Sequence, residues 1–100
     1  MKRSASVVWN GGLIDGSGTF SVASGAIMEK KYSFRTRFED EPGTNPEELI
    51  AAAHASCFSM ALSAELGKLG ITPEAIETTG TVTFEEQTLK KSALETTVRA

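Results

Sequence analysis

The sequence is short of the residues that staple small folds or hold metals. It has one cysteine, Cys57, so no internal disulfide framework can form. It has one histidine, His54, so a zinc or other transition-metal site would have to rest on carboxylates. No metal and no cofactor are therefore expected. Ten Lys and Arg stand against thirteen Asp and Glu, a formal charge of -3, which gives no reason to expect nucleic acid or an acidic membrane as partner. No apolar run approaches the ~20 residues that cross a bilayer. The basic start Met1-Lys2-Arg3-Ser4-Ala5-Ser6 has no apolar segment long enough for a signal peptide, so the expected location is the cytoplasm. Internal repeats and low-complexity stretches are also lacking.

What is present reads as a small globular chain. One hundred residues suit a single domain with a modest core and a thin stability margin. The apolar share of 40% and charged share of 23% place it among ordinary globular proteins rather than disordered ones.

The first third reads as β. Ser4 to Trp9 is a short strand, and Asn10-Gly11-Gly12 is a turn because these residues tolerate positive φ. Gly16-Ser17-Gly18 reads as a second turn. Thr19 to Ser24 alternates as a strand does, and Ser24-Gly25 reads as a turn or bulge. Lys31 to Phe38 alternates again, with Tyr32, Phe34, Thr36 and Phe38 on one face and Ser33, Arg35 and Arg37 on the other.

An acidic loop, Glu39 to Thr44, leads into a helix start. Asn45 suits the N-cap, Pro46 the first helical position and Glu48 the return arm of a capping box. The helix is expected from Pro46 to about Lys68, stopped by Gly67 or Gly70. Leu49, Ala53, Cys57 and Ala61 form an uncharged i, i+4 ridge that reads as buried. Ile76 to Glu86 then alternates as a strand, with Ile76, Thr78, Gly80, Val82 and Phe84 on its inner face. Glu86-Gln87-Thr88 is the expected connection, and Leu89 to Ala100 the antiparallel return. The order β-β-β-α-β-β predicts an α+β fold, an antiparallel sheet on one long helix.

Cys57 is the chemically most interesting residue. A free cysteine on an apolar ridge is most often a small core residue, and apolar surroundings leave it inert. A reactive role needs a cation nearby, and Arg35 and Arg37 are the candidates. Glu48 has a capping role to fill, while Glu47 is a candidate either to meet the helix dipole or to bind an arginine. His54 lies three residues before Cys57, but no orienting third group or oxyanion loop accompanies the pair, so a packed or hydrogen-bonded histidine is the expectation.

Three blocks carry a resemblance: Thr36-Arg37-Phe38, Gly43-Thr44-Asn45-Pro46-Glu47-Glu48-Leu49-Ile50, and Ala52-Ala53-His54-Ala55-Ser56-Cys57-Phe58-Ser59-Met60-Ala61-Leu62. Together with Val8-Trp9 they closely resemble the signature of the OsmC/Ohr family, on the OsmC side. The resemblance implies an OsmC-like α+β domain over residues 1–100 and an intertwined homodimer with two sites at its interface. It implies a thiol peroxidase that reduces organic hydroperoxides and hydrogen peroxide in oxidative and osmotic stress defence, regenerated by a dithiol reductant, lipoyl-type being the suspected class. By position, it makes Cys57 the peroxide-attacking thiol, Arg37 its activating arginine and Glu47 the carboxylate that holds the arginine. The family's resolving cysteine lies on a later helix, so the chain is expected to lack the family's C-terminal helix and strand. The rival reading is a non-catalytic thiol sensor or a module binding a lipid-like ligand.

Helical geometry adds one expectation. Glu47 and Cys57 are ten residues apart, about 15 Å along a straight helix and turned by roughly 80°. Two antiparallel copies crossing near position 52, at the small residues Ala51-Ala52-Ala53, would bring Glu47 of one level with Cys57 of the other. A composite site is expected, with Cys57 from one subunit and Glu47, together with Arg37, from its partner.

Overall fold

The computed structural model describes residues 1–85 and 88–100; the Glu86-Gln87 part of the expected connection lies outside the described residues. The chain divides into two compact units, Met1–Pro46 and Glu47–Ala100.

The first unit is a three-stranded antiparallel sheet followed by a short helix. Strands β1 (Ala5–Asn10), β2 (Ser17–Val22) and β3 (Lys30–Tyr32) lie in that order, with Val7 opposite Phe20 and Gly18 opposite Tyr32. Gly18 is in the middle strand and not in a turn, contrary to the reading of Gly16-Ser17-Gly18. The reversal comes earlier, closed by the Gly16 N–H donating to the Gly12 carbonyl at 2.8 Å, with Gly11 at φ +93°. Gly18 is there because its neighbours need the space. Trp9 and Tyr32 flank it on the two adjacent strands, their rings 5.5 Å apart. A Cβ on Gly18 would meet both rings at 2.7 Å. Tyr32 also packs on Phe20, at 5.8 Å, and Phe20 is the buried apolar side chain among the described residues.

The strand expected over Lys31 to Phe38 is corrected: only Lys30–Tyr32 is β, and α1 covers Phe34–Phe38. Local hydrogen bonding decides this. The Thr36 N–H donates to Ser33 Oγ at 3.3 Å, and the Ser33 N–H donates to Thr36 Oγ1 at 2.9 Å, a reciprocal capping box. The rings of Phe34 and Phe38, one helical turn apart, pack at a tilt of 51° with centroids at 4.9 Å. The alternating aromatics therefore fitted either period, and the Ser33-x-x-Thr36 cap was the discriminating signal. Arg35 and Arg37 lose their common strand face, since residues two apart on a helix point apart by about 200°.

Helix α2 (Pro46–Lys68) starts at the expected proline, the last residue of the first unit, and the rest of it, with Glu47 and Glu48 in its first turn, belongs to the second unit. Its end is set by Gly70 rather than Gly67. Gly70 adopts φ +78°, its N–H donates to the Gly67 carbonyl at 3.0 Å, and the Ile71 N–H reaches back to the Leu66 carbonyl at 2.9 Å. That is the Schellman pattern, which needs a left-handed residue where only glycine sits without strain. Strands β4 (Ala75–Glu85) and β5 (Thr88–Arg99) pair antiparallel as a second, separate sheet, with Gly80 opposite Leu94 and Thr78 opposite Thr96. On β4, Ile76, Thr78, Gly80, Val82 and Phe84 are half-buried while Glu77, Thr79, Thr81 and Glu85 are exposed, the alternation expected from the sequence, except that Thr83, expected on the outer face, is half-buried at the register shift between Thr83 and Phe84. The architecture is thus α+β, with antiparallel strands and one long helix. The strands form two sheets rather than one.

Candidate thiol site

Cys57 sits in the middle of α2, and its thiol is exposed. The ridge that reads as buried in the sequence is therefore on the open side: Ala53, Cys57 and Ala61 are exposed, and Leu49 is half-buried. The face turned to the β4–β5 hairpin carries Ala51, Ala55, Ser59, Leu62 and Leu66 instead, spaced by three and four. Two observations fix this. Gly80 approaches so closely that a Cβ there would stand 2.7 Å from the Ala51 carbonyl oxygen, and Ser59 Oγ lies 2.6 Å from Thr78 Oγ1. Sequence pattern misses this face because small residues surround the whole helix, so no apolar stripe stands out. No side chain of α2 is buried, and Ile50, Phe58 and Met60 are exposed with the thiol. By length and composition α2 is long and apolar enough to cross a membrane, which corrects the expectation that no apolar run approaches that length: serines and His54 interrupt the apolar residues but leave the helix apolar on average.

Glu47 lies in the first turn of the same helix and is half-buried. The helix does not bring it to Cys57: ten residues of α2 keep them about 15 Å apart. Arg37 belongs to the other compact unit, on α1, with its guanidinium carbon 5.1 Å from the Phe38 ring centre. It lines a hollow of about 240 Å³ with Trp9, Leu13, Tyr32 and Phe34. Arg35 instead reaches Glu39 one turn on, at 3.8 Å between exposed side chains. Such a pair contributes little.

His54 Nδ1 lies 2.7 Å from Ser92 Oγ on β5. It is the hydrogen-bonded histidine of the sequence reading, and Ser92 is a partner that spacing could not reveal. Among the described residues no group of three or more His, Cys, Asp or Glu is placed to hold a metal ion.

Comparison with known proteins places this chain in a family. The model of the OsmC-like proteins matches residues 38–100, a segment that holds Glu47 and Cys57 and begins one residue after Arg37. The chain is 55% identical over 78 residues to Peroxiredoxin OsmC of Escherichia coli (strain K12), and equally to Peroxiredoxin OsmC of Shigella flexneri. These alignments cover 78% of this chain and 54% of each relative, so the chain spans about half the length of these relatives. Among solved structures, the organic hydroperoxide resistance protein OhrB of Bacillus subtilis superposes with a TM-score of 0.58 at 24% identity. The match covers 95% of this chain and 70% of that one, a likeness of fold. With more than half of its residues matching the family model and 55% identity to two of its members over most of its length, the chain belongs to the OsmC-like protein family.

Proposed function

We propose that the protein is a cysteine-based peroxidase that reduces organic hydroperoxides and hydrogen peroxide, with Cys57 as the attacking thiol. The observation that carries this reading is the exposed position of the chain's one thiol at the centre of α2, inside a segment like that of Peroxiredoxin OsmC. The thiolate attacks the terminal oxygen of the peroxide. An S–O bond forms, the O–O bond breaks, and the alkoxide takes up a proton and leaves as the alcohol, with sulfur oxidised by two electrons to the sulfenic acid. A dithiol, lipoyl-type in the simplest case, then returns the thiol. Its first sulfur displaces water from the sulfenic acid, and its second closes a disulfide and releases Cys57. Arg37 is assigned to favour the thiolate and donate to the peroxide, and Glu47 to hold the guanidinium fork. An apolar surround receives the carbon tail of the substrate.

The active form is proposed to be a homodimer in the cytoplasm, with residues 1–100 contributing to one OsmC-like domain per subunit. Supporting this, α2 exposes Ile50 and Met60 beside the small residues Ala53, Cys57 and Ala61, a face suited to close approach by a second helix. The spacing of Glu47 and Cys57 along α2 supports a site shared between subunits.

The test is consumption of tert-butyl hydroperoxide with a dithiol by the parent chain and by Cys57→Ser. The swap is nearly isosteric at an exposed position, so the fold is expected to persist while peroxide consumption is abolished. Undiminished consumption by the variant would overturn the assignment.

A further inference from the structure

The contact between α2 and the β4–β5 hairpin is held by hydroxyls. Ser59 Oγ donates to the Ala55 carbonyl at 2.8 Å, lies 2.6 Å from Thr78 Oγ1, and Thr78 Oγ1 lies 3.2 Å from Thr96 Oγ1. All three side chains are partly buried. A hydroxyl has one proton to give. Ser59 spends its proton on Ala55, so Thr78 must donate to Ser59. Thr78 has then spent its own, so Thr96 must donate to Thr78. The chain runs in one direction, from β5 through β4 to the helix.

This directed chain does something that apolar burial on the same face cannot. Ala51, Ala55, Leu62 and Leu66 present smooth, non-directional surface, over which a helix can roll with little change in area removed from water. Hydrogen bonds depend steeply on angle and distance. Gly80 opposite Ala51 sets how closely the helix approaches, and the hydroxyl chain sets its rotation. Ser59 and Cys57 are two residues apart, about 200° around the helix. Locking Ser59 onto Thr78 therefore holds Cys57 on the outward side, where it is exposed.

We propose that Thr78, in the middle of the chain, is a positioning residue for Cys57: it fixes the roll of α2 on the hairpin and so the direction in which the thiol faces. The consequence for peroxide chemistry rests on Cys57 being the attacking thiol; the positioning itself does not. Order along the chain gives the inference its discriminating power. Thr78→Val removes both a donor to Ser59 and an acceptor from Thr96. Thr96→Val removes only the terminal donor. Thr78→Ser keeps every bond.

The experiment compares the parent chain with Thr78→Val, Thr96→Val and Thr78→Ser. The ¹H–¹³C resonances of Gly80 Cα and Cys57 Cβ report the seating of the helix, and loss of the thiol with tert-butyl hydroperoxide reports its chemistry. Thr78→Ser should match the parent in both. Thr78→Val should move the Gly80 and Cys57 signals and slow the peroxide reaction by about tenfold or more, the scale expected when a reacting atom is misplaced. Its alkylation by iodoacetamide, which needs only an accessible thiolate, should stay within about twofold of the parent. Thr96→Val should fall between, and it carries the test if Thr78→Val does not fold. Unmoved Gly80 and Cys57 signals in Thr78→Val, or a Thr96→Val effect as large as that of Thr78→Val, would overturn the proposal. If the parent thiol ignores peroxide altogether, the peroxidase reading falls, and the resonances still decide the positioning.

Discussion

Gly80 offers the sharpest check on how α2 is seated. Its place in β4 is extended, so a side chain there is barred by space and not by φ. The Cβ of alanine would stand 2.7 Å from the Ala51 carbonyl oxygen and 3.3 Å from its carbon, while its contact with Leu94 would be ordinary at 3.4 Å. Both offending atoms are helix backbone, which cannot rotate away as a side-chain tip would. The helix must lift by about 0.7 Å to restore van der Waals distance, pulling on the Ser59–Thr78 bond as it goes. Overpacking of this kind costs about 1–3 kcal/mol. Alanine offsets about 0.5–1 kcal/mol of that, because glycine loses more backbone freedom in a strand. The net is a loss of about 1 kcal/mol, which in a domain this small lowers the melting midpoint by about 4–8 °C. Thermal unfolding followed by far-UV circular dichroism measures it. A Gly80→Ala chain melting at or above the parent would mean that α2 does not rest on the hairpin at this point, and the assigned face of the helix would be wrong.

The other glycines of the same unit should behave differently. Gly67 lies within α2 with nothing within 4 Å of a Cβ, so Gly67→Ala should stabilise by about 0.5–1 kcal/mol and raise the midpoint in the same assay. Gly70, equally uncrowded but at φ +78°, should lose about 1–2 kcal/mol as alanine from the left-handed backbone alone; an unchanged midpoint would argue against the Schellman end. In the first unit, Gly18→Ala should part the Trp9 and Tyr32 rings and alter the near-UV circular dichroism of Trp9, whereas an unaltered spectrum would contradict the ring packing. For the shared site, mixing inactive Cys57→Ser chains with inactive Glu47→Ala chains should restore one working site per heterodimer. No recovery on mixing would mean each site is built within a single chain.

Features that depend on neighbours a few residues apart were legible along the chain. Pro46 begins α2 because its φ is fixed by its own ring, and a glycine ends it; the choice between Gly67 and Gly70 came only with the left-handed φ of Gly70. The inner face of β4 was legible because a strand alternates with period two whatever it packs on. The resemblance of the central block pointed to the family and to Cys57. Over Phe34–Phe38 the aromatics suited either period, and only the Ser33–Thr36 capping bonds decided for a helix. The rest needed tertiary structure. α2 is surrounded by alanine and serine, so its inward face could not be chosen by hydrophobic pattern, and the sequence pointed to the ridge through Cys57. The hairpin chose the other side, because Gly80 alone leaves room for the helix backbone and Thr78 and Thr96 offer hydroxyls to Ser59. Residues nineteen and thirty-seven positions beyond Ser59 settle which way the thiol faces, and no local periodicity can carry that information.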